Sequence, residues 1–369
     1  MATGNPVLGP KVGKVSVNAY AVPTDQPESD GTFAWDKTTI VVVEVEAGGQ
    51  TGLGYTYADK GVGDVVHGTL GPAIEGLDAM DIPAAWQQMR RAVRNLGTAG
   101  IAACSISAVD AALWDLKAKL LGLPLVLLLG RMRDKVPIYG SGGFCSYTDD
   151  KLQEQLSGWV ESDGCRSVKM KVGREPDRDL DRVRAARAAI GDAELFVDAN
   201  GALTPRQAIR FAREVEAEGI YWFEEPVSSD DLGGMRLVRE HVPDTVDVAA
   251  GEYIYLPDEA RRMLSSGAVD VLQADVTRCL GITGFLRVAS LSDTFHTAFS
   301  GHCAPALHLH PACSAERLRN LEWFHDHVRI EHMLFDGAPT PKDGAITPDL
   351  TRPGAGLEFK RKDAERYAT

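Results

Sequence analysis

From Val136 onward the chain repeats itself. Apolar, strand-like runs fall at 136–141 (VPIYGS), 167–173 (SVKMKVG), 194–200 (ELFVDAN), 220–226 (IYWFEEP), 246–252 (VDVAAGE), 269–275 (VDVLQAD), 296–302 (HTAFSGH) and 320–324 (NLEWF). They recur roughly every 20 to 30 residues, with amphipathic helical patterns between most of them. Thr204-Pro205 reads as an N-cap with proline at the first helical position, ahead of RQAIRFAREVEAEG, and Gly219 suits the other end. Leu256-Pro257-Asp258 opens another helix in the same way. Eight β units joined by helices predict a parallel (β/α) barrel.

The segment before the repeat has a different texture. Residues 12–24, 38–47 and 51–57 are β-rich, and AGGQTG joins the last two as a hairpin, which predicts a three-stranded meander. Helical patterns follow at 61–75, 82–95 and 102–121, with Gly122 and Pro124 as stop signals. Strands first and helices after predict a small α+β domain. The expected organisation is a capping domain over residues 1–130, a barrel over 131–325, and a segment 326–369 that packs back on the cap. Between the first two strands lies VPTDQPESDGTFAW, expected as a mobile polar loop.

Composition excludes several functions. A net charge of −13 without a basic block argues against a nucleic-acid partner. The most apolar run, LGLPLVLLLG at 121–130, is too short and interrupted to span a bilayer. MATGNPVLGPKVGKV at the start lacks an apolar signal core. The six cysteines (104, 145, 165, 279, 303, 313) show no CxxC spacing. They read as reduced thiols in a cytoplasmic protein.

The strand ends carry the chemistry. They are Lys169 and Lys171, Asp198, Glu224, Glu252, Asp275, His302 and Glu322. The carboxyl ends of barrel strands converge on one mouth, so these side chains are expected in one pocket. Lys169 and Lys171 stand at i and i+2 of one strand and so face the same way. Mutual repulsion and lost solvation are expected to depress both pKa values and yield a base near neutral pH. Asp198, Glu224 and Glu252 end consecutive strands. Three close carboxylates predict a hard divalent cation, Mg²⁺ with Mn²⁺ as a substitute. Glu225 points away from Glu224 and reads as a rim salt bridge. Neither HxH on the first barrel strand nor HExxH occurs, which weakens a zinc-hydrolase reading. Asp275 beside His302 would fix the imidazole tautomer and make an acid/base dyad. Glu322, between Leu321 and Trp323, is expected to donate a hydrogen bond to a developing oxyanion if protonated.

In this order the residues resemble the pattern of the enolase superfamily, and most closely its mandelate racemase subgroup. The resemblance covers essentially the whole chain and implies an α+β cap, a modified (β/α)7β barrel and a tail returning to the cap. It places the family's Lys-x-Lys on Lys169 and Lys171 and its metal ligands on Asp198, Glu224 and Glu252. The His–Asp dyad falls on His302 and Asp275, and the electrophilic glutamate on Glu322. Asn200 resembles the family's substrate-contacting Asn, and Arg278 the cation after the dyad's Asp. RCLGIT at 278–283 departs from the pattern, with Leu280 where a glycine often sits. Cys303, His308, His310, His325 and His327 have no role in it and read as structural or substrate-contacting.

Subgroup resemblance implies abstraction of the proton α to a carboxylate. Lys171 and His302 would be the bases, and Lys169 would orient the substrate carboxylate and meet the enediolate charge. Dehydration of an acid sugar to a 2-keto-3-deoxy acid is the first expectation, and racemisation or epimerisation of a 2-hydroxy acid the second. Tyr55, Tyr57, the loop at 21–36 and the GGFCSY turn would line a polar pocket. Cycloisomerisation in the style of muconate lactonisation is disfavoured, because that branch has a lysine where Asp275 stands. A barrel that merely binds Mg²⁺ and carboxylates needs neither a lysine base nor a dyad. The resemblance also implies a homo-oligomer.

Overall fold

The computed structural model describes residues 9–369. Residues 1–8, which include the beginning of the stretch read above as lacking a signal core, lie outside the described residues. Strands β1 (Val15–Ser29), β2 (Ala34–Ala47) and β3 (Gln50–Tyr57) form an antiparallel sheet in that order. The turn after β2 has two residues, Gly48 and Gly49, with φ of 56° and 78°. Both are left-handed, which is why glycine serves at both places. Opposite faces of this sheet are covered differently. Val41, Val43 and Val45 pack with the long helix Ile101–Leu120, whereas Ile40, Val42 and Tyr55 join the core shared with the barrel. A Cβ at Gly52 or Gly54 would overlap the carbonyls of Ala112 and Ala108, so these glycines set how closely helix and sheet approach.

Eight parallel strands follow: β4 (Val136–Gly142), β5 (Ser167–Lys171), β6 (Glu194–Asp198), β7 (Ile220–Glu224), β8 (Asp247–Ala250), β9 (Val271–Ala274), β10 (Ala298–Gly301) and β11 (Leu318–Phe324). They pair in sequence order, and β11 pairs with β4 to close the barrel. Ala345–Ile346 pairs antiparallel with the start of β4, at Val136 and Pro137. The helix read from Thr204 is there, with a reciprocal cap between Thr204 and Gln207. It stops at Glu214, and a 3-10 turn then leads to a left-handed Gly219. The C-terminal residues reach the cap: Arg361 pairs with Glu44 at 2.6 Å and the Thr369 amide donates to the Ala19 carbonyl.

Inside the barrel the period of two stacks one layer on another. Tyr139, Phe196 and Trp222 form an aromatic plug with Ala249 and Val271. Phe196 and Trp222 stack at 4.9 Å. Two residues further along the same strands stand Ser141, Asp198 and Glu224. The plug thus closes the barrel directly beneath the polar layer.

The expected mobile loop is instead a strand-built arm. β1 runs to Ser29 and β2 begins at Ala34, with Glu28 opposite Trp35 and Ser29 opposite Ala34. Its prolines mislead because pairing breaks between Pro23 and Glu28, where a missing amide hydrogen costs nothing. At the tip Asp30 accepts from the amides of Thr32 and Phe33. Glu28, within the arm, is buried and accepts from the Trp35 indole at 3.0 Å. Burial, then Asp326 and Asp25, push its carboxyl up to about 9 from an ordinary 4.5. The folded state therefore holds this proton more tightly than the unfolded chain. The stability it gives is complete below the unfolded value and is lost as pH rises through about 9. A Tm series from pH 6 to 10 is expected to fall more steeply for the native protein than for Glu28→Gln, whose amide does not titrate. Parallel curves would show that Glu28 is already ionised in the fold.

Candidate active site

At the carboxyl ends of the barrel strands the predicted residues do converge. Lys169 Nζ lies 2.5 Å from Glu224 Oε1, 2.8 Å from Glu322 Oε1 and 3.3 Å from Asp198 Oδ2. Lys171 Nζ donates to Asp198 Oδ2 at 2.6 Å. Glu224 also accepts from the Trp222 indole at 2.9 Å, so the plug below fixes its rotamer. Carboxylate oxygens of Asp198, Glu224 and Glu252 come within 4.8 Å of one another. His302 Nδ1 donates to Asp275 Oδ2 at 2.8 Å, which leaves Nε2 toward Glu252 Oε2 (3.4 Å) and Glu322 Oε2 (3.6 Å).

Electrostatics reverses one expectation. Burial alone would pull both lysines down, but Asp198 holds Lys171, and Glu224 and Glu322 hold Lys169, above the ordinary range. The sequence shows each lysine its i+2 neighbour and hides the carboxylates that other strands bring. Glu322 is likewise corrected. Burial opposes ionisation, yet Lys169, His302 and Lys171 hold its carboxyl well below the usual range. It accepts from Ser141 Oγ at 2.6 Å and from the Cys303 amide at 3.0 Å, so it is an acceptor and not the expected protonated donor. Burial, then Glu252, Glu322 and the Asp275 hydrogen bond, act on His302, and the carboxylates win: its imidazole is raised.

The donor set fits a hard divalent cation. Five carboxylates (Asp198, Glu224, Glu252, Asp275 and Glu322) face three permanent cations, Lys169, Lys171 and Arg278. This excess of carboxylates over permanent cations suits a hard divalent ion. Burial, then Asp198 and Glu322 against the opposing pull of Lys169, push Glu224 up to about 8. Glu252 Oε2 is buried without a hydrogen-bond partner. Glu225 does not make the expected rim salt bridge. It is buried at φ 35°, and no ion pair is found for it among the described residues.

Above this layer lies a cavity of about 510 Å³, lined by Lys171, Glu252, His302, Glu322, Asn200 and Arg278 from the barrel. Asp198, Glu224 and Lys169 lie beneath it, fully buried. Lys169 gathers three carboxylates and does not itself line the cavity. Asn200 has φ 45° and a buried Oδ1 without a partner. Arg278 braces the site, donating to the Glu252 carbonyl at 3.1 Å and lying 3.7 Å from Asp275.

The cap supplies the roof: Asp30, Phe33, Trp35, Lys37, Thr38 and Thr39 from the arm, with Tyr57. Tyr55 is not part of it. Its ring is fully buried and its hydroxyl donates to Glu331 Oε1 at 2.6 Å. Both tyrosines face the same way along β3, but Tyr55 sits one step deeper, under Phe335. The GGFCSY turn also stays behind the wall, with Phe144 edge-on to Trp35 at 5.4 Å.

The unassigned histidines now separate. His308 accepts from the Val276 amide and His310 from the Val126 amide, both buried and structural. His325 pairs with Asp25 on the arm at 3.0 Å. His327 lines the cavity, stacked on Tyr57 at 3.4 Å, and accepts from the Ala304 amide through Nδ1. Burial pulls it down to about 3, so it is neutral. Ser141 is absent from the sequence reading, and His327 enters it only as structural or substrate-contacting. Ser141 was findable as the inward residue two past Tyr139, whereas His327 meets Tyr57 across 270 residues of chain. Leu280 is also explained: at φ 70° it starts the next helix and buries its side chain in the cap core.

Residues 151–364 match the family model described as enolase C-terminal domain-like. Residues 14–130 match the mandelate racemase / muconate lactonizing enzyme N-terminal domain. The chain belongs to the enolase superfamily, in its mandelate racemase subgroup. A mandelate racemase/muconate lactonizing enzyme-like protein from Rubrobacter xylanophilus superposes with a TM-score of 0.95 at 53% identity, covering 98% of this chain and 100% of that one. A 3,6-anhydro-alpha-L-galactonate cycloisomerase from Streptomyces coelicolor is 34% identical, covering 95% of this chain and 98% of its own. The L-talarate/galactarate dehydratase of Salmonella typhimurium is 30% identical over 89% of this chain and 86% of its own. Its structure with Mg and L-lyxarohydroxamate superposes with a TM-score of 0.90. As a superfamily member with dehydratase and cycloisomerase relatives, the chain is an enzyme of the lyase or isomerase type.

Proposed function

We propose that this enzyme removes the proton α to the carboxylate of a polyhydroxy acid and expels the β-hydroxyl as water, giving a 2-keto-3-deoxy acid. The observation that carries this is a cavity with two kinds of wall. One wall is the acid/base and carboxylate layer, and the other is the polar arm with Asp30, Lys37, Thr38 and Thr39, suited to hydroxyl groups. Asp198, Glu224 and Glu252 would hold Mg²⁺, which supplies a Lewis acid for the substrate carboxylate.

The protein's own groups do the rest. Lys171 on β5 and His302 after β10 stand three strands apart around a closed ring of eight, close to diametrically opposed. They can therefore reach opposite faces of one carbon. Lys171, an ammonium donating to Asp198 here, takes the α-proton as the free amine, after that contact is broken and its own proton has gone to solvent. His302 carries its proton on Nε2 as imidazolium and delivers it to the leaving hydroxyl, while Asp275 keeps Nδ1–H in place. Lys169 holds Glu224, Glu322 and Asp198 together throughout. Asn200 Oδ1 and Arg278 would contact the substrate at the cavity edge.

A second reading has support of its own. The sequence reading set cycloisomerisation aside on Asp275, yet the 34% identical relative is a cycloisomerase. Racemisation is the third outcome of the same two bases. One experiment separates them: incubate a panel of mono- and di-acid sugars and their anhydro and lactone forms with Mg²⁺ in D₂O, and follow NMR and mass. Dehydration is expected to give a keto acid lighter by one water. A keto acid of unchanged composition, formed from an anhydro or lactone form whose ring oxygen is the leaving group, would select cycloisomerisation. Inverted acid carrying deuterium at Cα would select racemisation. No exchange and no product across the panel would reject α-proton chemistry.

A further inference from the structure

Cys303 has no part in the mechanism, yet it sits beside the dyad. Its Sγ is 3.3 Å from His302 Nε2 and 3.3 Å from Glu322 Oε2, and those two atoms are 3.6 Å apart. Zinc bonds of about 2.3 Å to sulfur and about 2.0–2.1 Å to nitrogen or oxygen give tetrahedral separations of about 3.5–3.6 Å from sulfur to nitrogen or oxygen and about 3.3–3.4 Å from nitrogen to oxygen. The three atoms lie within about 0.3 Å of such a face, with the sulfur slightly too near and the nitrogen–oxygen edge slightly too open. All three residues are buried, and their second contacts hold them. Asp275 binds the other nitrogen of His302, the carboxylate–histidine arrangement that orients zinc ligands. Ser141 and Lys169 occupy the other oxygen of Glu322, while Oε2 accepts from the Cys303 amide at 3.0 Å and from its thiol. The backbone adds to the case. Cys303 and Ala304 both have left-handed φ, 52° and 38°, a turn that glycine would make with less strain. The residue there is a cysteine, with its thiol against the dyad.

The geometry points to a second metal site of thiophilic character, in which His302 Nε2, Cys303 Sγ and Glu322 Oε2 hold Zn²⁺ or a similarly soft divalent ion. The fourth position opens to the cavity, where Glu252 Oε2, 3.4 Å from His302 Nε2, is the nearest further oxygen. On binding, the thiol proton leaves to solvent and a sulfur–metal bond replaces it. No electron transfer is involved. The ion would cap Nε2, so the dyad could neither take nor give a proton, and zinc would switch the enzyme off. The site stands on geometry alone; the inhibition rests on the acid/base role proposed for His302.

The test uses the full chain in excess Mg²⁺, with Co²⁺ as an optical probe. A near-ultraviolet thiolate-to-cobalt band is expected to saturate at one equivalent and to vanish when Zn²⁺ displaces the cobalt. Cys303→Ser should lack the band, and Cys145→Ser should keep it. Absence of the band in the native protein, which needs no variant, would overturn the site, as would a band that survives Cys303→Ser. Zinc should inhibit the native enzyme at concentrations at least about 100-fold below those needed for Cys303→Ser. Equal inhibition of both would mean displacement of Mg²⁺ and would overturn the switch. A band without inhibition would leave the site standing and remove His302 from the proposed chemistry.

Discussion

Replacing His302 with asparagine is expected to lower turnover by about 10³- to 10⁴-fold, at the upper end of what a positioned acid/base contributes. Asparagine preserves a donor toward Asp275 Oδ2, so the carboxylate now served at 2.8 Å keeps a partner. What disappears is the group that protonates the departing hydroxyl. Water loss should therefore collapse while the first half of the reaction survives on the other wall. In D₂O the variant should still exchange the α-proton of a substrate whose proton faces Lys171, without forming keto acid. Retained turnover would remove the dyad from the mechanism. Loss of both exchange and turnover would mean that His302 is the base for that substrate. Because Nε2 also faces Glu252 and Glu322, a binding measurement for Mg²⁺ should accompany the kinetics, and it is expected to change little.

What the sequence shows of this site, and what it hides, follows from the reach of its periodicities. The barrel was legible because each strand is a short apolar run, and its inward register put Asp198 above Phe196 and Glu224 above Trp222. Direction across a strand could be read, but depth along it could not. Tyr55 and Tyr57 share a face, and only contacts with Glu331, Phe335 and His327 decide which one sees the cavity. Charge was harder still. Lys169 meets carboxylates 29, 55 and 153 residues away, and their sum reverses the sign expected from its neighbour Lys171. The arm failed differently. Pro23, Pro27 and the Asp-Gly pair read as loop, but they fall where the register shifts or the chain turns, and strand pairing continues around them.

Lys171→Arg should be the more discriminating replacement. The guanidinium keeps the positive charge and can still donate to Asp198, so five carboxylates continue to face three cations. It cannot give up a proton near neutral pH. Turnover dependent on this wall is expected to fall by at least about 10³-fold, while the Kd for Mg²⁺, read by calorimetry, stays within a few-fold of the native value. Lys171→Ala should differ in the second respect. It removes a cation from a buried anionic cluster, so Mg²⁺ affinity and its pH dependence should both shift. If Lys171→Arg turns over normally, the lysine serves only as a counter-ion and the base lies elsewhere. The double variant Lys171→Arg/His302→Asn completes the argument. In dehydration both groups act on one substrate in one reaction, so losing the second after the first should cost little more, and the effects should be far from additive. Two independent activities sharing the cavity would instead leave each single variant with its own intact half. The D₂O exchange pattern of the two single variants reads out that difference directly.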